Sequence, residues 1–159
     1  MTHAEHLLPL SSIVLAALGS ASAGCSSQEC NALYAPSRAT MTRQVTATFD
    51  ASKPLDVELC HNDACRSGQF SIARDAGACS STGGSLLRGG CDLRRSDDGT
   101  WQFHVRWDQE DASPMENGDR YRVRLTSGAV VLLAEDVRAT YAESEPNGEG
   151  CGITKDATL

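Results

Sequence analysis

Trp101-Gln102-Phe103-His104-Val105-Arg106-Trp107 alternates apolar and polar residues without a break. Trp101, Phe103, Val105 and Trp107 hold one parity; Gln102, His104 and Arg106 hold the other. Successive side chains of a strand point to opposite faces, so this period of two reads as a strand with one face against a core. Tyr121-Arg122-Val123-Arg124-Leu125 and Leu55-Asp56-Val57-Glu58-Leu59 repeat the pattern. From Thr42 to Phe49, Val45, Ala47 and Phe49 share a side, and Val137, Ala139 and Tyr141 alternate with Arg138 and Thr140. Ala129-Val130-Val131-Leu132-Leu133 is apolar throughout, which predicts a strand covered on both faces.

Turn formers separate these runs: Asp50 to Pro54, Asp98-Gly99, Asn117-Gly118, Ser127-Gly128 and Pro146-Asn147-Gly148. Asp98-Gly99 predicts a hairpin joining the 91–95 run to the Trp101 strand. Helical periodicity and internal repeats are absent. Seven to eight strands spaced about every 10–15 residues predict an all-β fold, an antiparallel sandwich.

The chain has 159 residues, one domain's worth, with 14 Lys+Arg against 21 Asp+Glu and a net charge of −7. An acidic chain lacks the basic face that phosphate neutralisation needs, so nucleic acid is not an expected partner.

No residue between Glu5 and Glu29 carries a formal charge. The apolar run from Leu7 to Leu18 reaches about 18 Å as a helix, short of a hydrocarbon core of roughly 30 Å. It reads as a signal-peptide core, followed by the small residues Gly19-Ser20-Ala21-Ser22-Ala23-Gly24-Cys25. Ala21-Ser22-Ala23 fits release after Ala23. Ser22-Ala23-Gly24-Cys25 resembles a bacterial lipobox, with cleavage before Cys25 and a lipid on its sulfur.

The cysteines are Cys25, Cys30, Cys60, Cys65, Cys79, Cys91 and Cys151, seven in all. Setting Cys25 aside as a lipid site leaves an even number, and an exported chain meets an oxidising compartment that pairs them. Cys60 and Cys65 flank His61-Asn62-Asp63-Ala64, a hairpin tip, and paired strand positions lie within disulfide reach. Cys79 and Cys91 bracket the polar loop Ser80-Ser81-Thr82-Gly83-Gly84-Ser85. Cys30 and Cys151 remain, a staple between the start of the domain and its last strand; by the chain-entropy account it contributes about 4–5 kcal/mol. No CxxC is present, so no metal site is expected.

Residues that carry chemistry are sparse. His61 sits on the hairpin tip and His104 on a polar strand face, neither beside a nucleophile motif, and both read as solvent-facing. Asp97-Asp98 and Asp108-Gln109-Glu110-Asp111 read as solvated turns, although loop carboxylates are also calcium ligands. Trp101, Phe103, Trp107 and Tyr121 read as core rather than as a glycan platform. Arg120, Arg122 and Arg124 share one strand face and read as partners of Asp56 and Glu58 across the sheet. No catalytic residue and no cofactor is expected.

Asn117-Gly118-Asp119-Arg120-Tyr121-Arg122-Val123 resembles the tyrosine corner of immunoglobulin-like domains, with Val123 where antibody domains carry a cysteine. Together with Cys60-His61-Asn62-Asp63-Ala64-Cys65, and with Tyr141 followed by Pro146-Asn147-Gly148-Glu149-Gly150-Cys151-Gly152, it resembles small envelope lipoproteins of large-genome soil bacteria. The resemblance implies an envelope location and an immunoglobulin-like β-sandwich, and brings no activity with it. The expected organisation is a signal peptide at 1–24, a lipid-anchored tether at 25–37 and a disulfide-stapled sandwich at 38–159. The expected role is a non-enzymatic surface binding or structural module, held to the membrane, in particular the outer membrane, through Cys25 and meeting an envelope protein or glycan. The alternative is a secreted, unlipidated inhibitor or ligand-binding module, periplasmic or extracellular.

Overall fold

A computed structural model describes residues 36–81, 84–85, 88–109 and 114–159. The signal peptide, Cys25, Cys30 and nearly all of the tether lie outside the described residues. Those described form β1 (Arg38–Val45), β2 (Leu55–His61), β3 (Ala64–Phe70), β4 (Ala76–Ser81), β5 (Gly84–Ser85), β6 (Cys91–Arg95), β7 (Trp101–Asp108), β8 (Arg120–Ser127), β9 (Val130–Arg138), β10 (Ala142–Ser144) and β11 (Thr154–Thr158). The fold is all-β. The strands run as one sheet in the order β10-β11-β1-β7-β6-β4-β3-β2-β8-β9, with β5 paired to β4 beside that path.

Two expectations are corrected here. The described residues form eleven strands rather than seven or eight, because short strands such as β5, β10 and β11 carry too few residues to show a period. The sheet is mixed rather than antiparallel, because β1 and β11 pair in parallel, Arg38 opposite Asp156 and Thr40 opposite Thr158. A parallel pair needs a long crossover, and here nearly the whole domain lies between the two strands.

The sheet curls until its halves face each other. Phe70 of β3 meets Phe103 of β7 edge to face at 6.0 Å, and Trp107 of β7 tilts against Tyr121 of β8 at 4.8 Å. Arg43 of β1, the third strand of the path, reaches Glu135 of β9, the last, at 3.4 Å. The turn of the sheet is made by β4, which pairs with β3 at Ser80 and Cys79 and with β6 at Ala76, Gly77 and Ala78. At Gly77 a Cβ would stand 3.0 Å from the Ser71 carbonyl oxygen, so the bend is drawn too tight for most side chains.

The apolar parities fill the space between the halves. Phe103, Val105 and Trp107 are buried with Leu55, Val57, Leu59, Tyr121, Val123 and Leu125. Each large side chain buried this way stabilises the fold by roughly 1.5–3 kcal/mol. Trp101 is half-buried at the rim, 5.4 Å from Phe49. The run at 129–133 is not covered on both faces: Val130 and Val131 are 55 % and 42 % exposed. A register shift beside Leu125 and Thr126 puts Leu132 and Leu133 both inside. A bulge thus accounts for consecutive apolar residues that the sequence suggested were sandwiched.

Cys60 and Cys65 stand directly opposite each other at disulfide distance, Cα atoms 4.0 Å apart. Cys79 and Cys91 do the same between β4 and β6, Cα atoms 5.5 Å apart. Cys151 is also disulfide-bonded; its expected partner, Cys30, lies outside the described residues. Ser37 is already part of the fold: it is buried, its Oγ accepts the Lys155 amide at 3.0 Å and its carbonyl accepts that of Gln109 at 2.8 Å.

Candidate binding cleft

The inward parity of β2 is Leu55, Val57, Leu59 and then His61; that of the β8 segment is Asp119, Tyr121, Val123 and Leu125. The β2–β8 register sets His61 opposite Tyr121. Same-face neighbours across a ladder touch, and the imidazole lies flat on the phenol ring at 4.8 Å with the planes parallel. His61 therefore does not face solvent as the sequence suggested. It is the last inward residue of its strand, with a side chain 19 % exposed.

Beyond His61 the chain reverses through Asn62 and Asp63 alone, a tighter turn than four residues. Asn62 has φ +53°, a conformation asparagine tolerates better than most residues. Its amide donates to the Arg120 carbonyl at 2.7 Å, and its Oδ1 accepts the Arg120 amide at 2.9 Å. The tip is thus bound edge-on to the start of β8.

Asp119 is the hub. Its Oδ1 accepts Asn62 Nδ2 at 3.0 Å, and its Oδ2 accepts His61 Nε2 at 2.9 Å and the Glu116 amide at 2.9 Å. Burial pushes the carboxyl up, but the bonds from Asn62, Glu116 and His61 outweigh it and hold the group below its ordinary range. An ionised carboxylate only accepts, so Nε2 is the donor.

Below this layer the Tyr121 hydroxyl pairs with that of Tyr141. In a tyrosine corner the hydroxyl returns to upstream backbone; here it goes to another side chain. Burial raises both phenols, Tyr121 further through the Tyr141 bond, and Tyr141 is pushed up to about 12. Both remain protonated and neutral beneath the Asp119 carboxylate.

Above the hub opens a cleft of about 490 Å³, floored by Leu59, Trp107 and Met115 and walled by His61, Asp119 and Glu116. Charged side chains of both signs line it, among them Asp63, Asp108, Arg66 and Arg88. Among its described lining residues there is no serine, threonine or cysteine. The hydroxyls nearest Asp119 among the described residues are the buried phenols of Tyr121 and Tyr141. The Trp107 indole N–H is buried there with no acceptor among the described residues.

The other sequence candidates fall elsewhere. His104 lies on the outer face, 3.6 Å from Asp92. Asp98 closes the β6–β7 turn by accepting the Thr100 amide at 2.9 Å. Asp108 is in the cleft wall, paired with Arg106 at 3.0 Å, while Glu110 and Asp111 lie outside the described residues. Trp107 is 4 % exposed, so it is core rather than a stacking platform. The arginine row does not pair as expected: Arg120 grips Asp136 on β9, and Arg122 reaches Asn62 and Cys65. Glu58 stands opposite Arg124 in register, without an ion pair between them. Met115, Asp119, Glu116 and Tyr141 belong to the site although no motif in the sequence marks them as site residues. For Asp119 and His61 the parity was available, since both continue inward series already recognised as core.

No protein family, curated protein or solved structure matches this chain.

Proposed function

We propose that this chain is a non-enzymatic binding module of the cell envelope, exported, anchored through a lipid on Cys25, and meeting its ligand at the His61–Asp119 cleft. The observation that carries the binding reading is the cleft itself: a preformed concavity lined by apolar side chains and by charges of both signs, whose Asp119 carboxylate is held by three fixed donors. The disulfide pairs favour an oxidising compartment. An immunoglobulin-like sandwich is the reading of the curled sheet; the facing halves and the Asp119-x-Tyr121 opening of β8 support it.

Two measurements test this. Mass spectrometry of the mature N-terminus is expected to find a diacylglyceryl group on Cys25, and Cys25→Ser is expected to leave the membrane fraction. An unmodified chain beginning at Gly24 would support the secreted, unlipidated alternative instead. For the cleft, immobilised wild type, Glu116→Arg and the remote variant Lys53→Ala are compared for retention of envelope glycan and peptide fragments. Loss in Glu116→Arg alone supports the cleft; equal retention by all three overturns it.

A further inference from the structure

Behind the Asp119 hub, on the outer face of the sheet, one disulfide has two unlike ends. Cys65 is exposed, while Cys60 is 1 % exposed. Arg122, the β8 neighbour of Cys60 in register, lays its guanidinium over the pair. Its Nη2 stands 3.5 Å from Cys65 Sγ and 3.5 Å from the Asn62 carbonyl oxygen, and its Nε is buried without a partner among the described residues. Thiol exchange requires an anionic thiolate to reach an accessible sulfur. A cation at that sulfur attracts the incoming thiolate and stabilises the thiolate formed there afterwards, and here it offsets the Glu58 carboxylate, which lies within 4.8 Å of both sulfurs. The same bond closes the turn from which Asn62, with His61 beside it, holds Asp119.

We propose that Cys60–Cys65 is a thiol-exchange site for a small thiol or a dithiol partner, and that its oxidation state decides whether the Asn62–Asp63 turn is held against Asp119. A partner thiolate attacks Cys65 Sγ. The sulfur–sulfur bond breaks, its electron pair leaves on Cys60, and the Cys60 thiolate takes a proton from water. A mixed disulfide now joins the partner to Cys65. A second partner thiolate attacks the partner's own sulfur in that bond, expels Cys65 as a thiolate beside Arg122, and departs as the partner's disulfide. Two electrons have passed from the partner thiols to the cystine. The turn is then closed by the β2–β3 ladder and by its hydrogen bonds to Arg120 and Asp119, without the covalent clamp at its base, and the cleft wall has a looser edge.

The chemistry goes beyond ligand binding at the cleft and is read without any ligand. The oxidised full chain is incubated with glutathione, quenched with acid, alkylated and mapped by mass spectrometry; hydrogen exchange is then compared between the oxidised and reduced chain. The glutathione adduct is expected on Cys65, with Cys60 alkylated. The amides of Asn62, Glu116 and Arg120 are expected to exchange faster once reduced. Arg122→Leu is expected to slow adduct formation roughly tenfold, the order of one charge contact at this distance in a water-like dielectric, and Arg122→Lys to recover most of it. An adduct on Cys60, or unchanged exchange at those amides after reduction, overturns the proposal. Both readouts use the wild type, so the test holds even where Arg122→Leu fails to fold.

Discussion

The imidazole of His61 and the phenol of Tyr121 lie parallel, 4.8 Å apart, on neighbouring strands. That stack joins two layers of different character. Above it is the ionised Asp119 with its donors; below it is a neutral hydroxyl pair inside the core.

Acid should loosen the upper layer first. The Asp119 carboxyl lies below its ordinary value of 3.8 in the folded chain. A group depressed on folding contributes stability that is present above its unfolded value and lost as pH falls through the folded one. Urea midpoints are expected to hold steady above about pH 5 and to drop below pH 4. Asp119→Asn is expected to be less stable at neutral pH and to show a shallower drop. Parallel curves for the two chains would remove Asp119 from the account.

The lower layer predicts non-additivity. Tyr141→Phe leaves the Tyr121 hydroxyl buried without its partner, a cost of about 1–3 kcal/mol, and Tyr121→Phe does the converse. The double variant removes both hydroxyls and is expected to cost clearly less than the sum. Equilibrium unfolding of the three variants measures it. Spectrophotometric titration should also show both phenols un-ionised past their usual range near 10, with Tyr141 titrating at about 12.

Trp107→Ala should cost about 3–5 kcal/mol, a large share of a typical domain's stability. Arg106→Ala should cost about 1 kcal/mol or less, since its pair with Asp108 is half-exposed. A Trp107→Ala melt within a degree or two of wild type would invert the assignment of the faces.

Gly89→Ala is expected to disturb β7 from outside the core. A Cβ there would stand 2.1 Å from the Arg106 carbonyl oxygen, a backbone atom that cannot swing aside. Neighbouring Gly90 accepts the Arg106 amide at 2.9 Å, so the strand is held at that distance. The variant should lose stability on the scale of a strained core substitution, about 1–3 kcal/mol. A thermal melt equal to wild type would show that the 88–90 segment can move away.

Period-two alternation made β2, β7 and β8 legible because each has one buried and one wet face. It failed at β4, where Ala76, Gly77 and Ala78 have too little side chain to mark a face, and at β11, whose partner lies more than a hundred positions upstream. Local spacing located the Cys60–Cys65 and Cys79–Cys91 pairs, since each closes a short loop. The arginine row was misassigned because charge alone names no neighbour. The β8–β9 register brings Asp136 beside that row, and Arg120 takes it. The cleft needed the curl, which brings β7 over β8; no single segment encodes that meeting.

The parallel ladder of β1 and β11 has a mechanical consequence. The chain enters this ladder at Arg38 and leaves it at Thr158 along strands that point the same way. Beyond the ladder, the Leu159 amide and carbonyl are fastened to Thr40 and Arg43. A pull between the two ends runs along the strands in opposite directions, so the rungs are loaded together in shear rather than peeled one after another. A pull applied at Arg38 and Thr158 would therefore meet the whole terminal seam at once, whereas a pull on the chain upstream of a Cys30–Cys151 bridge would pass to β11 through that bond.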